Sequence, residues 1–340
     1  MRKILEIERK LIPDLMQVMH KRYEILQRIF LSGTIGRRTL AISVDLTERV
    51  LRTELDILRE QGLVDTSAGG MALSEAGRQL VEELEPLVKE LFGLSDLEKA
   101  MREAFGLSKV VIVPGDSDES DHVKREMGRA GGRVLRESLS RGDVVAVMGG
   151  STMARMASQF PVSAPMRDNW FVPARGGLGE SVDYQANTIA AELAKLTSAR
   201  YRMLHVPDHL SEEAYQTIMQ EPNVKEVVDM IRGARIVVHG IGDAMTMARR
   251  RKVGPDTMEE MKREGALAEA FGYYFDRNGQ VVHRMATAGL RLEDIEAAGV
   301  VIGIAGGRSK GEAISSVLRF GHDDILVTDE AAAEEALRHL

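Results

Sequence analysis

The residues with the strongest claim to chemistry lie in glycine-rich loops. Val147-Met148 runs into Gly149-Gly150-Ser151-Thr152 and then into the helical pattern Met153-Ala154-Arg155-Met156-Ala157. Glycines let a backbone approach an anion, and hydroxyls at a helix N-terminus add donors where aligned peptide dipoles already favour negative charge. The segment reads as a phosphate cradle. It has neither the lysine of a nucleotide-binding P-loop nor the full glycine pattern of a dinucleotide site. Three further loops share its character: Arg175-Gly176-Gly177-Leu178-Gly179, Gly240-Ile241-Gly242-Asp243 and Gly306-Gly307-Arg308-Ser309-Lys310-Gly311. If they share one sheet edge, Arg175 and Lys310 bring cations to the same crevice, and a second anionic group can be held there. Arg250, in the run Arg249-Arg250-Arg251-Lys252, supplies another cation, while Glu269 and Gln185 are candidate acceptors for ligand hydroxyls. Any one loop alone is equally a tight turn, and four successive cations alone are a solvated face. Recurrence after several strands carries the case.

The elements that must position these loops are legible around them. Apolar, β-branched runs at Val110–Val113, Val144–Val147, Ile236–Val238, Val300–Ile304 and Ile325–Val327 alternate with helical segments. This predicts an α/β domain with an open, mainly parallel, Rossmann-like doubly wound sheet. Ligands of such sheets bind beyond the carboxyl ends of the strands, where these loops leave. His205, His239 and His283 each end an apolar run and read as structural, hydrogen-bonded histidines. With no cysteine and eight scattered histidines, neither a metal site nor a cofactor is expected.

The first third has a different pattern. Ile25, Leu26, Ile29 and Phe30 mark one face of a helix that stops at Ser32-Gly33, and Ile35 to Ala41 reads as a short second helix. Thr47 caps a third, Glu48 to Gln61, with Val50, Leu51, Leu55 and Leu58 as its buried stripe. Two short β-like runs flank Ser67-Ala68-Gly69-Gly70, and Ser74 caps a following helix. Three helices, a hairpin and a helix are the order of a winged helix-turn-helix, whose third helix enters the major groove. Candidate DNA contacts are Arg37, Arg38, Thr47, Glu48, Arg49, Arg52 and Thr53, with phosphate contacts expected to outnumber base contacts. Between Lys21 and Thr53 seven cations face three acids, although the whole chain carries a net charge of -7. A three-helix interaction module with solvated arginines is the bland alternative.

At 340 residues, 44% hydrophobic and 29% charged, the chain is long enough for two domains with a sizeable core. The expected division is 1–85, a DNA-binding module with an N-terminal helix; 86–108, a connector of two short amphipathic helices interrupted at Gly93 and capped again by Ser95; and 109–340, the α/β domain. Met1 to Met19 also has helical spacing and could extend an interface. No apolar stretch is long enough to span a bilayer and no signal core follows Met1, so a cytoplasmic protein without a membrane partner is expected.

Leu94-Ser95-Asp96-Leu97-Glu98, Gly149-Gly150-Ser151-Thr152, Pro173-Ala174-Arg175-Gly176-Gly177, His239-Gly240-Ile241-Gly242 and Gly303-Ile304-Ala305-Gly306-Gly307 together resemble the SorC family of sugar-responsive bacterial regulators. The resemblance covers nearly the whole chain. It implies an effector domain related in fold to sugar-phosphate isomerases and deaminases but acting as a sensor without turnover. It implies fructose 1,6-bisphosphate as effector, with contacts from Ser151, Thr152, Arg175, Gln185, Arg250, Glu269 and Lys310. Ser151 stands where the family pattern has threonine and keeps the hydroxyl. Further implications are homo-oligomers, dimers or tetramers, gripping operator DNA, and repression of glycolytic genes relieved by the sugar bisphosphate. An isomerase-like or deaminase-like enzyme stays open at this point, because Glu269 beside Lys310 could transfer a proton.

Overall fold

The computed structural model describes residues 11–44, 46–67, 69–91, 93–161, 165–177, 181–207, 212–285 and 287–340. Asp45, Ala68, the loop residues Leu178 and Gly179, and the first ten residues of the expected N-terminal helix lie outside them. The chain divides into two compact units, one of Met1–Asp96 with Ser120–His122 and one of Leu97–Glu119 with Val123–Leu340.

In the first unit, α1 (Pro13–Ser32), α2 (Arg37–Ser43) and α3 (Glu48–Glu60) are followed by the antiparallel hairpin β1 (Val64–Ser67) and β2 (Gly70–Leu73), then α4 (Glu75–Leu91). Ile25, Ile29, Leu40, Leu51 and Leu58 are fully or almost fully buried in one cluster with Val64, Met71 and Leu73. Burying each such side chain contributes roughly 1.5–3 kcal/mol. The hairpin is tied near its turn to the segment before α2, since Ile35 and Met71 exchange backbone hydrogen bonds at 3.0 and 2.9 Å. Val50, expected in the buried stripe of α3, is 39% exposed. Its place is taken by Glu54, buried and bonded to Lys21 at 2.6 Å and Arg22 at 2.9 Å. Helical spacing identifies a face but cannot tell an apolar side chain at its edge from a polar one whose partners lie across the core.

Helix α4 contains Pro86, so the expected boundary at 85/86 falls inside it, and α5 (Leu94–Phe105) starts one residue before Ser95. A proline removes one intrahelical bond but does not end this helix.

The second unit is built on seven parallel strands: β3 (Lys109–Val113), β4 (Val144–Val147), β5 (Trp170–Pro173), β6 (Arg200–Tyr201), β7 (Ile236–His239), β12 (Val300–Ile304) and β13 (Ile325–Asp329), in spatial order β3-β13-β12-β7-β4-β5-β6. Every residue of β7 and β13 is buried, as a sheet covered on both faces requires. Val145, Val147, Ile236, Val238, Ile302 and Ile304 share one core cluster, and the alternate residues Ala146, Val237 and Val301 are buried opposite them. A small antiparallel sheet of β8 (Gly242–Asp243), β9 (Ala268–Ala270), β10 (Tyr273–Phe275) and β11 (Val281–Arg284) stands beside it. The chain builds outward from β4 through β5 to β6, then returns to β7 on the other side of β4. The winding direction therefore reverses between β4 and β7, and their C-terminal loops part there to leave a crevice.

Candidate functional site

The crevice is a cavity of about 510 Å3. It is lined by residues from the loops that follow β4, β5, β7 and β12 and from neighbouring segments: Gly149, Gly150, Ser151 and Thr152 after β4, Arg175 after β5, Gln185, Gly240 to Asp243 after β7, Arg250, Glu269, and Ser309 and Lys310 after β12. All nine residues expected at the ligand, glycines included, reach this one space.

The cradle begins with Gly149, where a side chain cannot be placed: a Cβ there would stand 2.7 Å from the carbonyl oxygen of Tyr184. The next residue locks the same strands of backbone together, as the Gly150 N–H donates to that oxygen at 2.8 Å. Helix α7 (Ser151–Ser158), the next after α6 (Asp121–Ser138), then starts with no side chain capping it, so the donors of its first turn, bordering the cavity, are not taken by a cap. Those amides, the hydroxyls of Ser151 and Thr152 and the helix dipole make an anion seat.

The cations differ in availability. Arg175 is buried and lies 3.5 Å from Glu269. Glu269 accepts on Oε1 from Arg251 at 2.7 Å and from the Gly272 N–H at 2.8 Å. The arginine that secures Glu269 is thus Arg251, a neighbour of the expected Arg250; position in a run of four cations gave no signal to separate them. Arg250 is exposed, and among the described residues neither it nor Lys310 forms an ion pair. Burial pushes the Lys310 amine below its ordinary value; Arg250 and Lys124 add to the effect, and Asp118 and Asp329 oppose it. An amine so placed gains from an incoming anion.

The loop Gly306–Gly311 is not the phosphate cradle its glycines suggest. The N–H groups of Gly307, Arg308 and Ser309 already donate to Asp329 at 2.7 Å, Asp116 at 3.2 Å and Asp118 at 2.8 Å. What the loop offers the cavity is side chains. Sequence reasoning also missed Phe271, which lines the cavity with φ of 57° in the two-residue turn joining β9 to β10. A bulky side chain in this conformation is strained. It packs on the buried His239, at 4.0 Å between ring centroids, and His239 hydrogen-bonds Asp323 at 2.5 Å. His239 is therefore structural, as expected; His205 is exposed instead.

In the first unit, Arg37, Arg38, Thr47, Glu48, Arg49, Arg52 and Thr53 are all exposed. Glu48, Arg49, Arg52 and Thr53 are exposed in the first turns of α3, whose buried side carries Leu51, Leu55 and Leu58. Thr47 accepts from the Val50 N–H at 3.3 Å as the N-cap, Thr53 donates to the Arg49 carbonyl at 3.2 Å, and Arg38 lies 3.5 Å from Glu48. The local cation excess is smaller than it reads, because Lys21 and Arg22 are committed to Glu54.

Comparison with known proteins fits both units. Residues 89–338 match a sugar-binding domain family, and residues 18–88 match the CggR N-terminal DNA binding domain. The matched domains, with the regulators to which the chain is similar, make it a DNA-binding transcriptional regulator with a sugar-binding domain, and not an enzyme. The chain belongs to the SorC family. It is 51% identical over 339 residues to the central glycolytic genes regulator of Priestia megaterium, covering 99% of each chain, and 46% identical over 338 residues to that of Bacillus subtilis, again covering 99% of each. A crystal structure of a SorC family regulator from Enterococcus faecalis matches with TM-score 0.66 and 42% identity, over 71% of this chain and 99% of that one. The full-length sorbitol operon regulator of Klebsiella pneumoniae has the same fold, with TM-score 0.65 and 20% identity over 95% of this chain and 99% of that one. No helix among the described residues is long and apolar enough to cross a membrane.

Proposed function

We propose that the chain represses genes of glycolysis by binding operator DNA through α3 and the β1–β2 wing, and that fructose 1,6-bisphosphate in the cavity relieves the repression. The observation that carries the effector is the joining in one cavity of an anion seat at the start of α7 with separate cations, Arg250 and Lys310, that no carboxylate pairs among the described residues. A ligand with two phosphates satisfies both sets, and a cavity of about 510 Å3 suits a small molecule. Gly149, Gly150, Ser151 and Thr152 receive one phosphate; Arg250 and Lys310 receive the other. Arg175, Gln185 and Glu269 meet the sugar. The names of the two most similar regulators described above support glycolytic genes as the target.

On the DNA side, Arg37, Arg38, Thr47, Glu48, Arg49, Arg52 and Thr53 contact the operator, with most contacts made to phosphates. A dimer or tetramer presents paired winged helices to a two-fold operator. The ligand must favour the arrangement that does not grip DNA, because equal affinity for both shifts nothing.

Fluorescence anisotropy of an operator fragment at fixed salt, titrated with fructose 1,6-bisphosphate and with fructose 6-phosphate as the single-phosphate control, tests the reading. Release by the bisphosphate alone is the expected result. Binding indifferent to both sugars overturns the effector, and absence of specific binding overturns the repressor.

A further inference from the structure

Three successive amides in a glycine-containing loop form a concavity suited to an anion. In the loop after β12 that concavity is already filled by the chain itself. Gly307 adopts φ of 98°, and a Cβ there would stand 2.3 Å from Asp118 Oδ1, so the glycine is what lets the carboxylate approach. Asp118 Oδ2 takes the Ser309 N–H, Asp116 Oδ1 takes the Arg308 N–H, and Asp329 Oδ2 takes the N–H groups of both Gly307 and Ser117. Asp329 is completely buried and also caps the following helix through the Ala332 N–H at 2.8 Å. Two loops, 115–118 and 306–310, are thereby stitched together by carboxylates immediately before Lys310. Ser309 lines the effector cavity on one side and, on the other, a second cavity walled by Asp116, Asp118 and Glu119.

We propose that Asp118 is a positioning residue for the effector site: by occupying the Ser309 amide it keeps a ligand phosphate from binding the loop backbone and fixes the loop that presents Lys310 to the cavity. The inference rests on the cavity being the effector site. The charged groups acting on Lys310 divide in sign, with Asp118 and Asp329 favouring the ammonium and Arg250 and Lys124 disfavouring it. Removing the Asp118 charge removes the first of the two supports. An asparagine at 118 retains an oxygen that can accept from Ser309, so charge and hydrogen bond are separable.

The test uses the full chain without ligand, as wild type, Asp118→Asn and Asp118→Ala. Hydrogen exchange is read at the Ser309 amide. Asp118→Asn is expected to leave Ser309 exchange within a few-fold of wild type. Asp118→Ala is expected to speed Ser309 exchange by roughly tenfold or more, the scale of one lost hydrogen bond. Equal Ser309 exchange in all three proteins overturns the proposal. A second arm titrates fructose 1,6-bisphosphate across pH. Weaker binding in Asp118→Ala than in Asp118→Asn is the expected result; faster Ser309 exchange in Asp118→Ala with unaltered sugar binding supports the positioning role and overturns the effector reading instead.

Discussion

Lys310 shows how one side chain links burial to ligand response. Burial chiefly depresses its amine, and under the proposed function a phosphate bound beside it raises it again. The bound state therefore holds more protons than the free state over the interval between the two values. Affinity is complete below the depressed value and falls as pH climbs through it. Calorimetry in buffers of different ionisation enthalpy should register proton uptake on binding fructose 1,6-bisphosphate, and Lys310→Met should abolish the uptake while weakening affinity roughly ten- to hundredfold, as loss of a charge-assisted bond implies. Glu54 gives the opposite sign. Burial raises its carboxyl, but the hydrogen bonds and charges of Lys21 and Arg22 outweigh that and hold it below its ordinary 4.5. Its stabilising contribution is full above 4.5 and is lost as pH falls through the lower folded value. Glu54→Gln should cost the winged-helix unit roughly 1–3 kcal/mol, with the difference from wild type narrowing in acid, as followed by thermal melts across pH. Neither effect was legible in sequence, because both partners of Glu54 sit more than thirty residues away and the environment of Lys310 comes from four separate segments.

Among the elements, legibility followed periodicity. The five apolar runs at Val110, Val144, Ile236, Val300 and Ile325 all form strands, because a strand buried on both faces is written as a continuous β-branched run. The strands β5 and β6 escaped that reading: β5 ends in Pro173 and β6 is two residues long. The small antiparallel sheet was missed for the same reason of length, and with it the turn that places Phe271 against His239. The wing was legible from its turn residues, whereas the start of the connector was not, since Pro86 reads as a break and lies within α4. Helix α3 supports a prediction of its own. Arg49 and Arg52 project from its exposed face, so Arg49→Ala and Arg52→Ala should each lower operator affinity and flatten its dependence on log salt by about one unit if each contacts a phosphate. Salt slopes of operator binding measure this directly, and sugar binding should be unaltered. On α7 the cradle depends on Gly149. Gly149→Ala should push the Tyr184 carbonyl from its place, and weaken fructose 1,6-bisphosphate binding at least tenfold with operator affinity retained in its absence.

For the whole molecule, the sequence carried the division of labour further than the coupling. A cation-rich helical start and a β-branched remainder are written in composition, and they fold as two compact units. How occupancy of one alters the other is a difference between two states, and a single arrangement of backbone holds no record of such a difference. Thermodynamics nonetheless fixes its size at both ends. If fructose 1,6-bisphosphate lowers operator affinity by some factor, operator DNA must lower affinity for the sugar by the same factor at the same stoichiometry. A tenfold effect corresponds to about 1.4 kcal/mol. Titrating the sugar into free protein and into protein saturated with operator fragment should therefore give dissociation constants whose ratio equals that of operator binding with and without saturating sugar. A ratio of one in the sugar titration, beside a measurable release of DNA, would mean that the sugar acts on the DNA complex through a site other than this cavity or through a change of assembly. Repeating both titrations with Thr152→Ala separates those outcomes: coupling through the cavity weakens the sugar in both titrations and moves the release of DNA to proportionately higher sugar concentration, whereas release through another site stays where it was.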